Sequence, residues 1–285
     1  MWLLVLINVS AVVVNPIVVA YAMDPLLVTF WRCFFGAIIL APAALIVQPK
    51  FYQKIKVSQW AWLSVAGVTL AIHFVTLMEG LYRVNLGVAI TIMSTGTILT
   101  GLLGIVILKR FLVIGQWVGM VIGLGGVVLY AYLGDSLQTD STAGVVLLLF
   151  SALSFAIYVV TGQKLRRDMS NFVYVAVVFS VATVVSFGFA MVTNRSVWVE
   201  QSSDWVGIAL IAFFGQIMVH TLSNLYLKNG EAAFLQLTAL VQIPLLAIIG
   251  WVAFDQRTGI EIIPSLLLVV LGIVIYVVSQ PKRIT

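Results

Sequence analysis

The polar residues best placed for chemistry in this chain sit inside oily runs, not in the loops between them. Gln216, His220 and Asn224 fall at i, i+4 and i+8, so on a helix they form one stripe about 12 Å long at 1.5 Å per residue. Their neighbours Ile217, Met218, Val219, Leu222 and Leu225 are apolar. Histidine changes charge near neutral pH, and the two amides both donate and accept, so the stripe suits either a solute cavity or hydrogen bonding between packed helices. A second feature is the stretch "VTFWRCFFGA", which puts Arg32 among aromatic residues. One reading has its long stem snorkelling to an interface or pairing with Glu79 or Asp24. The other has it facing a cavity, where a guanidinium attracts a carboxylate or phosphate.

Further polar residues share helix faces. His73, Thr76, Gly80 and Arg83 are spaced by 3, 4 and 3. Asn8 and Asn15 lie seven apart, and Pro16 frees a backbone carbonyl one turn earlier. Ser151, Ser154, Tyr158 and Thr161 line another run, as do Thr91, Ser94, Thr95 and Thr97 around Gly96. Gln236, Thr238 and Gln242 precede Pro244. The expected substrate-binding set is Asn8, Asn15, Arg32, His73, Thr76, Ser94, Tyr158, Gln216, His220, Asn224 and Gln242, with His73, Glu79 and His220 as candidates for proton coupling. For most of these residues, helix packing and substrate contact stay open as alternatives. Cys33 is the sole cysteine, and no metal-ligand spacing, phosphate loop or nucleophile elbow occurs. The expectation is therefore no cofactor, no metal, no ATP-driven step and no enzyme active site.

The elements that must position these residues follow from composition. Of 285 residues, 62% are hydrophobic and 9% charged, against roughly 25% charged in soluble domains. The chain reads as an all-α integral membrane protein with the bilayer as partner. Ten runs approach the roughly 20 apolar residues a spanning helix needs: Trp2–Tyr21, Leu26–Val47, Trp60–Met78, Leu86–Leu108, Leu112–Leu133, Ala143–Gly162, Phe172–Thr193, Trp205–Leu227, Ala232–Phe254 and Ile263–Ser279. The first run is longer than a signal-peptide core and no basic residue precedes it, so it reads as a helix that stays. Short connections make successive spans antiparallel.

Charge then orients them. The loops after even-numbered spans, with the C-terminus, hold 11 of the 15 Lys and Arg residues. The other side holds Arg83, Arg195 and Arg257. The positive-inside rule puts both termini in the cytoplasm, in the cell membrane. The net charge of +5 reads as orientation, with no nucleic acid implied.

The chain also repeats. "LYRVNLGVA" at Leu81 to Ala89 returns as "LYLKNGEAA" at Leu225 to Ala233, an offset of 144, and "GVVLYAY" at Gly126 to Tyr132 returns as "GIVIYVV" at Gly272 to Val278, an offset of 146. Two matches in the same order predict two five-helix repeats, residues 1–133 and 143–285, joined by an external connector at 134–142. An odd helix number inverts one repeat against the other, the plan of secondary transporters. Gly115, Gly119 and Gly123 form a small-residue ridge on the fifth span, packing either within a monomer or across a homodimer.

Ten spans in two halves, the aromatic-Arg stretch "FWRCFFGAIILAP" in the second and small residues opening the fourth resemble the EamA branch of the drug/metabolite transporter superfamily. The fourth span, "STGTILTGLLGIVILKR", departs from the family pattern in lacking a proline and a terminal glutamate. The resemblance implies export of a small-molecule substrate such as an amino acid. Alternatives are a carrier of nucleotide- or lipid-linked sugars, favoured if Arg32 and Arg83 bind phosphate, and a membrane assembly subunit without transport.

Overall fold

The computed structural model describes residues 2–21, 23–133, 141–245 and 260–281, and the side chains of residues 12, 13, 15–20 and 86 are not among those described. The Asn15 side chain, most of the connector at 134–142 and the predicted end of the ninth span lie outside the described residues. Among the described residues the secondary structure is helical throughout. Seven helices of the described residues are long and apolar enough to cross a membrane. In chain order, with the three remaining apolar helices included, the labels are α1 (Trp2–Tyr21), α2 (Pro25–Val47), α3 (Val57–Leu81), α4 (Gly87–Leu108), α5 (Ile114–Leu133), α6 (Thr142–Arg166), α7 (Asn171–Val192), α8 (Asp204–Leu227), α9 (Ala232–Leu245) and α10 (Ile263–Val278).

Local chemistry sets the ends and the breaks. Asp24 caps α2, its carboxylate accepting from the backbone N–H groups of Leu26 and Leu27, and Pro25 opens the first turn. Ser141 and Ser170 cap α6 and α7 in the same way. Two helices are interrupted in mid-course. α4 breaks at Thr95, between Leu86–Ser94 and Gly96–Leu108, where the Ser94 and Thr95 hydroxyls donate to the Ile90 and Ile92 carbonyls and compete with the helix ladder. α9 tightens into a 3₁₀ turn at Ala239–Val241, where Pro244 has no N–H to give the Leu240 carbonyl. Thr95 and Ala239 are 144 residues apart, the offset of the first repeat motif.

Packing repeats as well. α3 lies on α6 and α7, while α8 lies on α1 and α2; α4 touches α6 as α9 touches α1. The pairs α2–α7, α4–α9 and α5–α10 join the two halves. Every one of these pairings maps onto another, or onto itself, when α1–α5 are exchanged with α6–α10. The glycine ridge is used within the chain. A Cβ on Gly119 would lie 2.6 Å from the Gly272 carbonyl oxygen, and one on Gly272 would lie 2.4 Å from the Gly123 nitrogen, so α5 and α10 meet backbone to backbone.

A large core gathers α2, α3, α6 and α7, including Leu63, Leu70, Phe74, Val160, Tyr174 and Phe179. The outer surface is as oily as the inside: Ile46, Val106, Val184, Val192 and Val278 are each more than 70% exposed. Water penalises such a surface and lipid does not. The chain is a multi-pass membrane protein.

Candidate functional site

The site is built where the two broken helices meet α1, α2, α3 and α8. A cavity of about 210 Å³ is walled by Ile7 and Asn8 of α1, Arg32 of α2, His73 and Phe74 of α3, His220 and Ser223 of α8, and Gln236 and Gln242 of α9. A second lobe of about 220 Å³ shares His73, Leu77, Phe155, Gln236 and Gln242, and adds Leu81, Met93, Ser94 and Thr97. Through Leu77 and Leu81 this lobe runs toward the end of α3 that carries Glu79. At the other end, beneath His220, Tyr158, Gln163, Arg166 and Asn224 are packed shut.

Arg32 is 5% exposed. Its Nε donates to Gln216 Oε1 at 3.1 Å, its Nη2 donates to the Gly215 carbonyl at 2.7 Å, and its guanidinium carbon sits 3.7 Å above the Phe74 ring. Gly215 lies in a π-helical stretch, Ile211–Met218, whose widened turn alters the carbonyl pattern of an α-helix. A Cβ on Gly215 would come within 3.1 Å of Arg32 Nη2, so the glycine lets the guanidinium approach.

Two histidines face the cavity in different roles. Ser151 Oγ donates to the His73 carbonyl at 3.0 Å, so its contact of 2.9 Å with His73 Nδ1 uses an imidazole N–H as donor. The His73 proton is thereby assigned to Nδ1, and Nε2 is an acceptor. Beyond His220, Asn224 Nδ2 donates to the Tyr158 hydroxyl and to the His220 carbonyl, and the phenol hydrogen, with no other acceptor among the described residues, is assigned to His220 Nδ1 at 3.3 Å. That assigns His220 as the Nε2–H form, a donor. Phe74, Phe155, Tyr158 and Phe179 surround its ring. Gln242 Nε2 donates to Asn8 Oδ1 at 3.2 Å, which ties α9 to α1 across the cavity.

Thus Asn8, Arg32, His73, His220, Gln242 and Ser94 line one or other of two cavities that share part of their walls. Of the others, the four whose side chains are described do not. Gln216, Asn224 and Tyr158 stand one layer back, holding Arg32 and His220. The stripe on α8 points inward, but the cavity reaches only its middle member. Thr76 turns its hydroxyl back to the Ile72 carbonyl at 2.7 Å. Gln236, Ser223 and Thr97 line the space although the sequence reading did not select them. A signal was present for Gln236, which precedes Gln242 on the same helix.

The two acids offered as partners for Arg32 are engaged elsewhere. Asp24 and Glu79 both pair with Arg195 of the α7–α8 connection, whose Nε is 2.9 Å from Asp24 Oδ2, and Glu79 also pairs with Arg83. Partial burial pulls the Arg195 pKa down, but hydrogen bonds and charges from Glu79 and Asp24 outweigh it and leave it raised. Trp31 Nε1 donates to the Val197 carbonyl at 2.7 Å and closes the same connection over α2. The opposite end has its own cluster: Arg110 pairs with Glu231 at 3.2 Å, and Gln163 Oε1 accepts from the Ala232 N–H at 2.8 Å. Arg166, counted in the sequence among loop charges, is buried, with Nε donating to the Asn224 carbonyl at 2.9 Å.

Comparison with known proteins gives two findings. The profile of the EamA-like transporter family matches residues 1–132 and 142–278. Among 29 matching solved chains, one described as a crystal structure of protein has a TM-score of 0.74, with 96% of each chain covered and 15% identity, a likeness that shows the fold alone. No curated protein sequence matches.

Proposed function

Because the chain belongs to the EamA-like transporter family, whose members are transporters, we propose that it is a secondary carrier exporting a small polar or amphipathic metabolite by alternating access. In this reading all ten apolar helices span the cell membrane, both termini are cytoplasmic, and residues 1–133 and 143–285 are inverted halves that rock about the cavity. One observation carries it. Two adjoining cavities, largely apolar but with polar groups from both halves in their walls, lie where α4 and α9 both break, and discontinuous helices at a repeat interface are how transporters expose backbone and side chains to a solute. The matching exchange of helix contacts between the halves supports the two-fold repeat. Under this topology the Glu79 end, toward which the cavity runs, is the outer one.

The sugar-nucleotide alternative loses support. Arg83 is spent on Glu79 outside the cavity, which leaves Arg32 as the single cation among the described lining residues to meet a phosphate. Uptake of a labelled metabolite panel into proteoliposomes, with and without a pH gradient, tests the proposal. Saturable accumulation of one or a few small solutes is expected. A protein that folds yet moves none of the panel in either direction refutes it.

A further inference from the structure

We propose that the cargo is a small organic anion whose single carboxylate docks on Arg32, a substrate class narrower than the carrier reading on which it rests. The argument begins with charge. Arg32 is buried, and among the described residues no carboxylate pairs with it; its acceptors are a side-chain amide and a backbone carbonyl. A guanidinium has five N–H donors, and the two hydrogen bonds leave three without a protein acceptor among the described residues. A buried ion carries a desolvation penalty of several kcal/mol that neutral partners only partly offset. The nearby acids do not relieve it, because Asp24 and Glu79 are held by Arg195 and Arg83. An incoming carboxylate supplies the missing charge, and its two oxygens match the fork of a guanidinium.

The rest of the cavity decides what accompanies that carboxylate. Among the described lining residues Arg32 is the single cation, so a phosphate dianion or a diphosphate finds no second positive group. Among the described residues no Asp or Glu lines either lobe, so an ammonium finds no counter-ion there and meets repulsion from Arg32. Ile7, Leu77, Phe155 and Leu235 offer apolar walls, and Asn8, Gln236 and Gln242 offer neutral hydrogen bonds. A monocarboxylate with a short apolar or hydroxylated body satisfies all of these surfaces, whereas a zwitterionic amino acid leaves its ammonium unpaired.

The test uses four probes with one hydrocarbon body: 4-methylpentanoate, 4-methylpentanamide, 3-methylbutylamine and leucine. Each is titrated calorimetrically into the purified full chain in lipid nanodiscs at neutral pH. The series is repeated on shorter and longer bodies, starting from acetate and from 3-phenylpropanoate. The carboxylates should bind about 10-fold or more tighter than their amide, amine and amino-acid counterparts, the weight of a charge-assisted hydrogen-bonded pair. Arg32→Gln should bring the carboxylate-to-amide ratio to about one while a thermal melt shows the fold retained, and Arg32→Lys should keep part of the preference. Equal binding of amide or leucine, a preference that survives Arg32→Gln, or no binding by any carboxylate overturns the assignment. If carboxylates bind but no solute is ever accumulated, the transport reading falls and the anion site stands. If a neutral or cationic metabolite is transported instead, the reverse holds.

Discussion

Replacing Tyr158 by phenylalanine tests whether the layer behind the cavity holds His220 in one tautomer. The substitution keeps the ring, and with it the contacts of 5.8 Å to Phe155 and 5.4 Å to His220. It removes only an oxygen that accepts from Asn224 and donates to His220 Nδ1. Both hydrogen bonds join α6 to α8, and such bonds in membranes average about 0.6 kcal/mol each, so the expected loss is about 1 kcal/mol. That amounts to a fall of about 2–4 °C in the melting temperature of a chain this size. Without the phenol donor the imidazole proton is free to sit on either nitrogen. If the cavity-facing Nε2–H form drops to about half, apparent substrate affinity falls about two-fold. Thermal melts and substrate titrations of Tyr158→Phe, Asn224→Leu and the double variant measure both effects. The singles should be coupled by a sizeable part of the loss, because they share a bond. Additive effects, or an affinity loss of 100-fold, would show that the phenol does not act through this relay.

Gly119→Val and Gly272→Val should each destabilise by at least the ~1–3 kcal/mol of overpacking, since the new atoms meet backbone; a melt unchanged in either variant contradicts the α5–α10 contact. Gly215→Ala should weaken cargo binding and lower the melting temperature slightly, because its methyl meets Val14 Cγ2 at 2.9 Å and Arg32 Nη2 at 3.1 Å; normal affinity would mean that Arg32 does not need this approach. Glu79→Gln should leave cargo affinity and the pH profile of transport nearly intact, since Glu79 lies in the Arg83–Arg195 cluster and lines neither lobe; a flattened pH profile would restore it as a coupling group. Reporter fusions at Asp140 and Lys282 should report opposite faces, with Asp140 outside, and a shared face would overturn the inverted plan.

Much of the helical frame was legible because lipid demands long apolar runs, and such runs leave little doubt in a chain with 9% charge. Trp2–Tyr21 came out with its bounds unchanged, and Trp60–Met78 fell short by one turn at each end because the polar first turn of Val57–Leu81 does not look apolar. The π-helical stretch in α8 had no such signal. Spacings of four assume about 3.6 residues per turn, and a wider turn rotates Gln216 away from His220's aspect, while Asn224, a regular α-turn beyond His220, is buried against Tyr158. The partners of Arg32 were misjudged for a similar reason. Sequence places Asp24 and Glu79 on the right side, but only the fold shows that Arg195, distant in the chain, takes both. Thr76 shows a limit of face arithmetic, since its hydroxyl satisfies itself on its own helix. The paired breaks at Thr95 and Ala239 were within reach, because the 144-residue offset aligns them and Pro244 marks one.

The central claim, that the cavity at His220 is the solute path of an alternating-access carrier, is tested most directly at that position. In a Cys33→Ser background, His220→Cys is treated with a membrane-impermeant thiol reagent, applied in separate experiments to each face of oriented proteoliposomes. The account predicts labelling from either face, reduced by any solute the panel shows to be transported. A position 220 that reacts from neither face in the folded protein would contradict it, and would leave the α8 stripe as packing between helices.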